Sequence, residues 1–170
     1  EDGRLLAAGE SGEVVLRGPT MMDCYLDDDA ATVEIQKFGW HHTGDIGRRD
    51  EDGYFYITDR KRDLIISGGF NIFPFEVESA LMKHPAVQDC AVIGVPDDKW
   101  GEAVKACVQL KPDAQASADV LIAWCKDQIG SMKAPKSVDF VSNLPRSPVG
   151  KVLKRDLRAP YWEGRMRGVG

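Results

Sequence analysis

Three side chains in this sequence are of types that could do chemistry together. Asp45 follows Thr43-Gly44, Arg60 follows Asp59, and Lys151 closes a loop of proline, serine and glycine that starts at Pro145. A carboxylate on a glycine turn can accept two hydrogen bonds from vicinal hydroxyls, as a ribose presents them. The commoner use of aspartate beside glycine is to bond its own turn. Arg60 offers a planar donor fork suited to hydroxyls, carboxylates or phosphates. As part of a charged run it could equally pair with Asp59 or Asp63, for little gain. Lys151 is a mobile point charge of long reach, although most lysines are merely solvated. Gly68 and Gly69 can take positive φ or let another chain approach closely, and a plain hairpin tip asks for the same freedom. His41 and His42 cannot act as a pair, because strand neighbours face opposite ways. Trp100, beside Gly101, reads as structural.

The elements that must hold these residues fall into two groups. Up to residue 59 the chain is glycine- and aspartate-rich with short strands: Gly12 to Arg17, Gly39 to Thr43, and the alternating Tyr54-Phe55-Tyr56-Ile57-Thr58. Asp27-Asp28-Asp29 can cap a short helix from Ala30. This is an incomplete all-β piece. Then Asp59-Arg60-Lys61-Arg62-Asp63 places five charges in a row, a joint between two bodies. Beyond it, Leu64-Ile65-Ile66 reads as a buried strand, Gly68-Gly69 as a hairpin tip and Phe70-Asn71-Ile72 as the returning arm. A helix starts at Pro74, where proline and the following glutamates suit the N-terminus. Val87 to Val95, Ala103 to Leu110 and Lys136 to Val141 are three strands, with a turn expected at Pro96-Asp97-Asp98. A second helix is capped by Ser117 and stopped by Gly130, and Leu153 to Leu157 opens a last one. The expected fold is α+β: a small three-stranded sheet flanked by helices, with a glycine-tipped hairpin. The expected domains are residues 1–59 and 60–170.

Thr43-Gly44-Asp45, the run Asp59 to Glu78 (DRKRDLIISGGFNIFPFEVE) and the run Pro145 to Arg158 (PRSPVGKVLKRDLR) occur in this order along nearly the whole chain. Together they resemble the C-terminal third of an adenylate-forming acyl-CoA ligase, a family related to luciferases and peptide-synthetase adenylation domains. The resemblance implies that a carboxylic acid, fatty or related, is activated by ATP to an acyl-adenylate and then passed to CoA. It implies that Asp45 and Arg60 hold the nucleotide ribose and that Lys151 is catalytic, bridging the acyl carboxylate and the α-phosphate. Arg62 falls at the family's hinge, where aspartate or lysine is usual. Gly68 and Gly69 line the tunnel for the CoA pantetheine. His41 stands where the family usually has an aromatic, and Val149 where it often has a small polar residue. The implied cofactors are CoA and ATP with magnesium. The family's magnesium ligand, phosphate loop, adenine pocket and acyl pocket lie upstream, so no metal site is expected in this chain. The chain is therefore expected to be a fragment, inactive alone, whose partner is its own N-terminal adenylation domain. The lysine loop also resembles one acetylated in bacterial relatives, which implies a lysine acetyltransferase acting on Lys151. The alternatives are an adenylation domain delivering to a carrier-protein thiol, a luciferase-like relative, or a non-catalytic α+β interaction module.

Composition excludes several other classes. The 170 residues are 43% hydrophobic and 29% charged, an ordinary globular balance. A net charge of −5 leaves no electrostatic footprint for nucleic acid. No apolar run approaches the roughly 20 residues of a membrane span, and Glu1-Asp2-Gly3-Arg4 is not the opening of a signal peptide. Cys24, Cys90, Cys107 and Cys125 show no Cys-x-x-Cys and no nearby histidine, which argues against zinc. Free cysteines in apolar stretches suit a reducing cytoplasm.

Overall fold

The computed structural model describes residues 3–165, and the chain divides between Lys61 and Arg62 into two units. The first contains β1 (Ser11–Leu16), α1 (Asp29–Ile35), β2 (Gln36–Lys37), β3 (Trp40–Arg49) and β4 (Phe55–Arg60). β3 is the antiparallel partner of the other three strands. The Asp28 carboxylate caps α1 by accepting from the Ala31 N–H at 2.9 Å. Phe38 and Gly39 both take positive φ, +55° and +75°, in the two-residue turn between β2 and β3, the geometry that matches strand twist in a tight hairpin. Only Ile46 and Gly47 are buried among the described residues of this unit. Tyr54, just before β4, and Phe55, Tyr56 and Ile57 along it are exposed. A sheet so open on its faces holds no core of its own.

The second unit contains β5 (Ile65–Ser67), β6 (Phe70–Ile72), α2 (Pro74–Met82), β7 (Val87–Asp97), β8 (Gly101–Leu110), α3 (Ala118–Ile129), β9 (Ser137–Phe140) and α4 (Lys154–Arg158). β8 is the spine. It pairs antiparallel with β7 along its length and parallel with β9, and Gly101 meets Ser67 of the β5–β6 hairpin. The expected three strands are thus β7, β8 and β9, and the hairpin extends them to five. One buried cluster joins β-sheet residues Val92, Val104 and Val108 to Val77 and Leu81 of α2 and Leu121 and Cys125 of α3. A second, smaller one gathers Ile93, Val95, Cys107 and Leu144, with Val152, Leu157 and Tyr161 packed on it. Burial pushes the Cys125 thiol up to about 11, so this cysteine is an inert core residue. Ser117 Oγ accepts from the Val120 N–H, and Gly130 ends α3 with φ +81°, as their types require.

Two local readings shift. Pro96 lies inside β7, opposite Glu102. The chain reverses instead over Asp98 to Trp100, because Asp97 Oδ1 accepts from the N–H groups of both Lys99 and Trp100 at 2.9 Å. In β5 only Ile65 is fully buried; Ile66 points out and is exposed, as alternation demands.

The hairpin tip is tied to that reversal. Gly68 has φ +58°, its N–H donates to the Trp100 carbonyl at 2.8 Å, and a Cβ there would lie 2.5 Å from Trp100 Cε3. Gly68→Ala should destabilise the chain by about 1–3 kcal/mol in urea denaturation followed by circular dichroism. In a Trp100→Ala background only the backbone part of that loss should remain. An equal loss in both backgrounds would clear Trp100 as the obstacle.

Candidate functional site

Asp45 and Arg60 are direct partners across the β3–β4 ladder. Arg60 Nε lies 3.3 Å from Asp45 Oδ1, with the two side chains 53% and 33% exposed. So exposed an ion pair adds little stability. What matters is that a carboxylate and a guanidinium sit side by side on one rung, half open to solvent. That pair can accept from and donate to two adjacent hydroxyls at once.

The turn presenting Asp45 is pinned to β1. Gly44 takes φ +73°. Thr43 Oγ1 donates to the Val14 carbonyl at 2.7 Å and accepts from the Asp45 N–H at 3.1 Å. Glu13 Oε1 accepts from the Gly44 N–H at 3.1 Å, while Oε2 meets His42 Nδ1 at 2.9 Å and Lys61 Nζ at 3.2 Å. Burial pushes the Glu13 carboxyl up, but the His42 and Lys61 contacts outweigh it and hold its pKa below 4.5. Sequence reasoning passed over Glu13. The signal was an acidic residue beginning the otherwise apolar Val14-Val15-Leu16 run, yet periodicity does not tell which charge it meets.

At the joint, Lys61–Asp63 forms one 3₁₀ turn. Within the second unit, Arg158 Nη2 meets Asp63 Oδ1 at 2.6 Å and Nη1 donates to the Arg62 carbonyl at 3.0 Å. Gly69, beside Gly68, has φ +82°, and a Cβ there would meet nothing within 4 Å. The tip is therefore open on the Gly69 side and filled by Trp100 on the Gly68 side.

Lys151 leaves a tight turn. The Gly150 N–H donates to the Ser147 carbonyl and the Ser147 N–H to the Lys151 carbonyl, each at 2.8 Å. The Lys151 N–H donates to Ser147 Oγ at 3.2 Å. Gly150 supplies φ +82°, and the Lys151 side chain is exposed. Asp45 and Arg60 thus belong to the first unit and Arg62, Gly68, Gly69 and Lys151 to the second. Among the described residues no three His, Cys, Asp or Glu side chains gather to hold a metal ion.

Residues 76–151 match the family model of the AMP-binding enzyme C-terminal domain. Feruloyl-CoA synthase of Amycolatopsis sp is 46% identical over 94% of this chain and 32% of its own length. The medium/long-chain-fatty-acid–CoA ligase FadD8 of Mycobacterium tuberculosis is 44% identical over 100% of this chain and 31% of its own. A solved structure of ATP-bound MatB from Rhodopseudomonas palustris matches with a TM-score of 0.87 at 38% identity, over 92% of this chain and 31% of that one. The chain spans about a third of the length of these relatives.

The Glu13 anchor has a pH signature. A carboxylate whose folded pKa is depressed contributes fully above its ordinary 4.5 and is lost as pH falls through the lowered value. The Gly44 amide should therefore be protected from hydrogen exchange at neutral pH and lose about tenfold of that protection in acid, after correction for intrinsic rates. In Glu13→Gln its protection should not change with pH. A wild-type amide indifferent to acid would remove Glu13 as the anchor.

Proposed function

We propose that this chain is the C-terminal part of an adenylate-forming acyl-CoA ligase and that its residues divide the work of the whole enzyme as follows. The enzyme joins a carboxylic acid, fatty or related aryl, to CoA. In the first half-reaction a carboxylate oxygen attacks the α-phosphorus of ATP and pyrophosphate leaves. In the second the CoA sulfur attacks the acyl carbon and AMP leaves. The observation that carries the proposal is the shared rung of Asp45 and Arg60 at 3.3 Å, a ready seat for the two ribose hydroxyls.

Lys151 supplies positive charge where negative charge develops between the carboxylate and the α-phosphate. The tight turn before it supports this role, since a fixed backbone leaves only the side chain to be ordered. Gly69 leaves room for the thiol-bearing arm of CoA, in keeping with the open space around its missing Cβ. Gly68 shares that passage, though contact with Trp100 is reason enough for its type. Arg62 is the hinge about which the second unit turns between half-reactions. The names of the relatives, one a feruloyl and one a fatty-acid ligase, support an acid–thiol ligase and leave acid selection to the N-terminal adenylation domain. No helix among the described residues is long and apolar enough to cross a membrane, in keeping with work in the cytoplasm. ATP brings magnesium whose ligands lie in that N-terminal domain. An acetyltransferase acting on the exposed Lys151 would neutralise the charge the first half-reaction uses.

If the second unit presents different residues in the two steps, substitutions should separate them. In the full-length ligase Lys151→Ala should lose about 10²–10³ in ATP–pyrophosphate exchange and still convert a supplied acyl-adenylate to thioester. Gly69→Leu should do the reverse. Equal losses in both steps for both variants would mean one fixed active site.

A further inference from the structure

The Lys151 turn is held from outside by a side chain with no role so far. Arg146 begins the turn and pairs with Val152 across it in an isolated antiparallel bridge. Its guanidinium does two things at once: Nη1 donates to the Gly150 carbonyl, and Nη2 pairs with Asp89 Oδ2. The Gly150 carbonyl belongs to the peptide whose N–H is that of Lys151. That N–H donates to Ser147 Oγ at 3.2 Å. One peptide plane, immediately before the Lys151 Cα, is thus gripped by its oxygen and by its nitrogen.

Asp89 is itself fixed. It follows an irregularity in the β7–β8 register, where Val87 faces Leu110 and Asp89 faces Gln109, so that Gln88 is the extra residue. Such a bulge re-aims the next side chain. Asp89 Oδ1 accepts from the Cys90 N–H at 2.8 Å, which leaves Oδ2 for Arg146. Cys90 and Ala91 beyond it are buried in the sheet. The link from sheet to turn therefore runs Cys90, Asp89, Arg146, Gly150, and ends one bond from Lys151.

We infer that Arg146 and Asp89 are positioning residues for Lys151: they transmit the rigidity of the sheet to the peptide that aims the lysine. The inference rests on the reading of Lys151 as the adenylation lysine. It needs an arginine, because only a planar fork serves a carboxylate and a carbonyl together in fixed geometry; a lysine makes a mobile point contact. A misplaced charge at a reacting centre can cost about 100-fold in rate, so the effect belongs to the half-reaction that uses Lys151 and to its maximal rate rather than to ATP affinity.

The test uses the full-length ligase with Arg146→Met, Arg146→Lys and Asp89→Asn, and Lys151→Ala as reference. Each is assayed for ATP–pyrophosphate exchange and, separately, for thioester formation from a supplied acyl-adenylate. Arg146→Met should lower kcat for exchange by about 10- to 100-fold with KM for ATP within about twofold, and leave thioester formation within about twofold. Arg146→Lys and Asp89→Asn should lose less in the same direction, the asparagine keeping an acceptor for the Cys90 N–H. Losses of equal size in both half-reactions would make the pair merely structural and overturn the inference. So would an unchanged exchange rate in Arg146→Met beside a crippled Lys151→Ala. An undiminished exchange rate in Lys151→Ala is the separate result that removes the reading of Lys151 and this inference with it.

Discussion

The guanidinium of Arg158 is what ties the joint to the body that follows it. It is 14% exposed, its partner Asp63 is 13% exposed, and it also takes the Arg62 carbonyl. Its Nε is buried without a partner, so the two terminal nitrogens carry all its bonds. Removing one member of this partly buried pair would leave the other charge uncompensated at the joint. On the other side of the joint Lys61 is held by Glu13. Each grip is internal to its own unit. Between them lies the link from Lys61 to Arg62, within the single 3₁₀ turn of Lys61–Asp63. A pivot proposed at this link would rotate whole bodies rather than loosen a segment.

The two bodies are built differently for what they carry. The first is a sheet without a core, and it aims its pair by ladder register and turn chemistry: Asp45 opposite Arg60, Thr43 and Glu13 holding the turn. The second is a sheet with apolar clusters, and its loops inherit that rigidity. Gly68 is fastened to Trp100 across the β7–β8 reversal. Lys151 is followed at once by Val152, which packs on the smaller cluster with Leu157 and Tyr161. The hydroxyl of Tyr161 donates to Asp139, which also holds Lys105; the bond to the Asp139 carboxylate and burial push the phenol up to about 12, so it stays a donor.

Local rules were readable from sequence where a residue type answers a backbone need. Ser117 and Gly130 bound α3, Asp28 caps α1, and Pro74 starts α2. The alternation read from Tyr54 to Thr58 falls on β4 from Phe55 onward. For Asp45, Arg60 and Lys151 the chemical reading comes from motif resemblance, since each residue taken singly is as well explained by a solvated turn. What sequence did not reveal is the set of partners: Glu13 with Lys61, Arg158 with Asp63, Arg146 with Asp89. These pairs span 48 to 95 residues. A charge has no periodicity that names its mate; tertiary proximity decides it. The reversal after β7 was misplaced for a related reason, because Asp97 closes it with its side chain while Pro96 merely fits the strand end.

The proposed function has the second unit turn at Arg62 between the two half-reactions. Arg62→Pro in the full-length ligase tests it most directly, because proline fixes φ at that residue and leaves both grips in place. Thioester formation from a supplied acyl-adenylate should fall at least about tenfold more than ATP–pyrophosphate exchange. Loss of both half-reactions by the same factor would contradict a pivot at this residue.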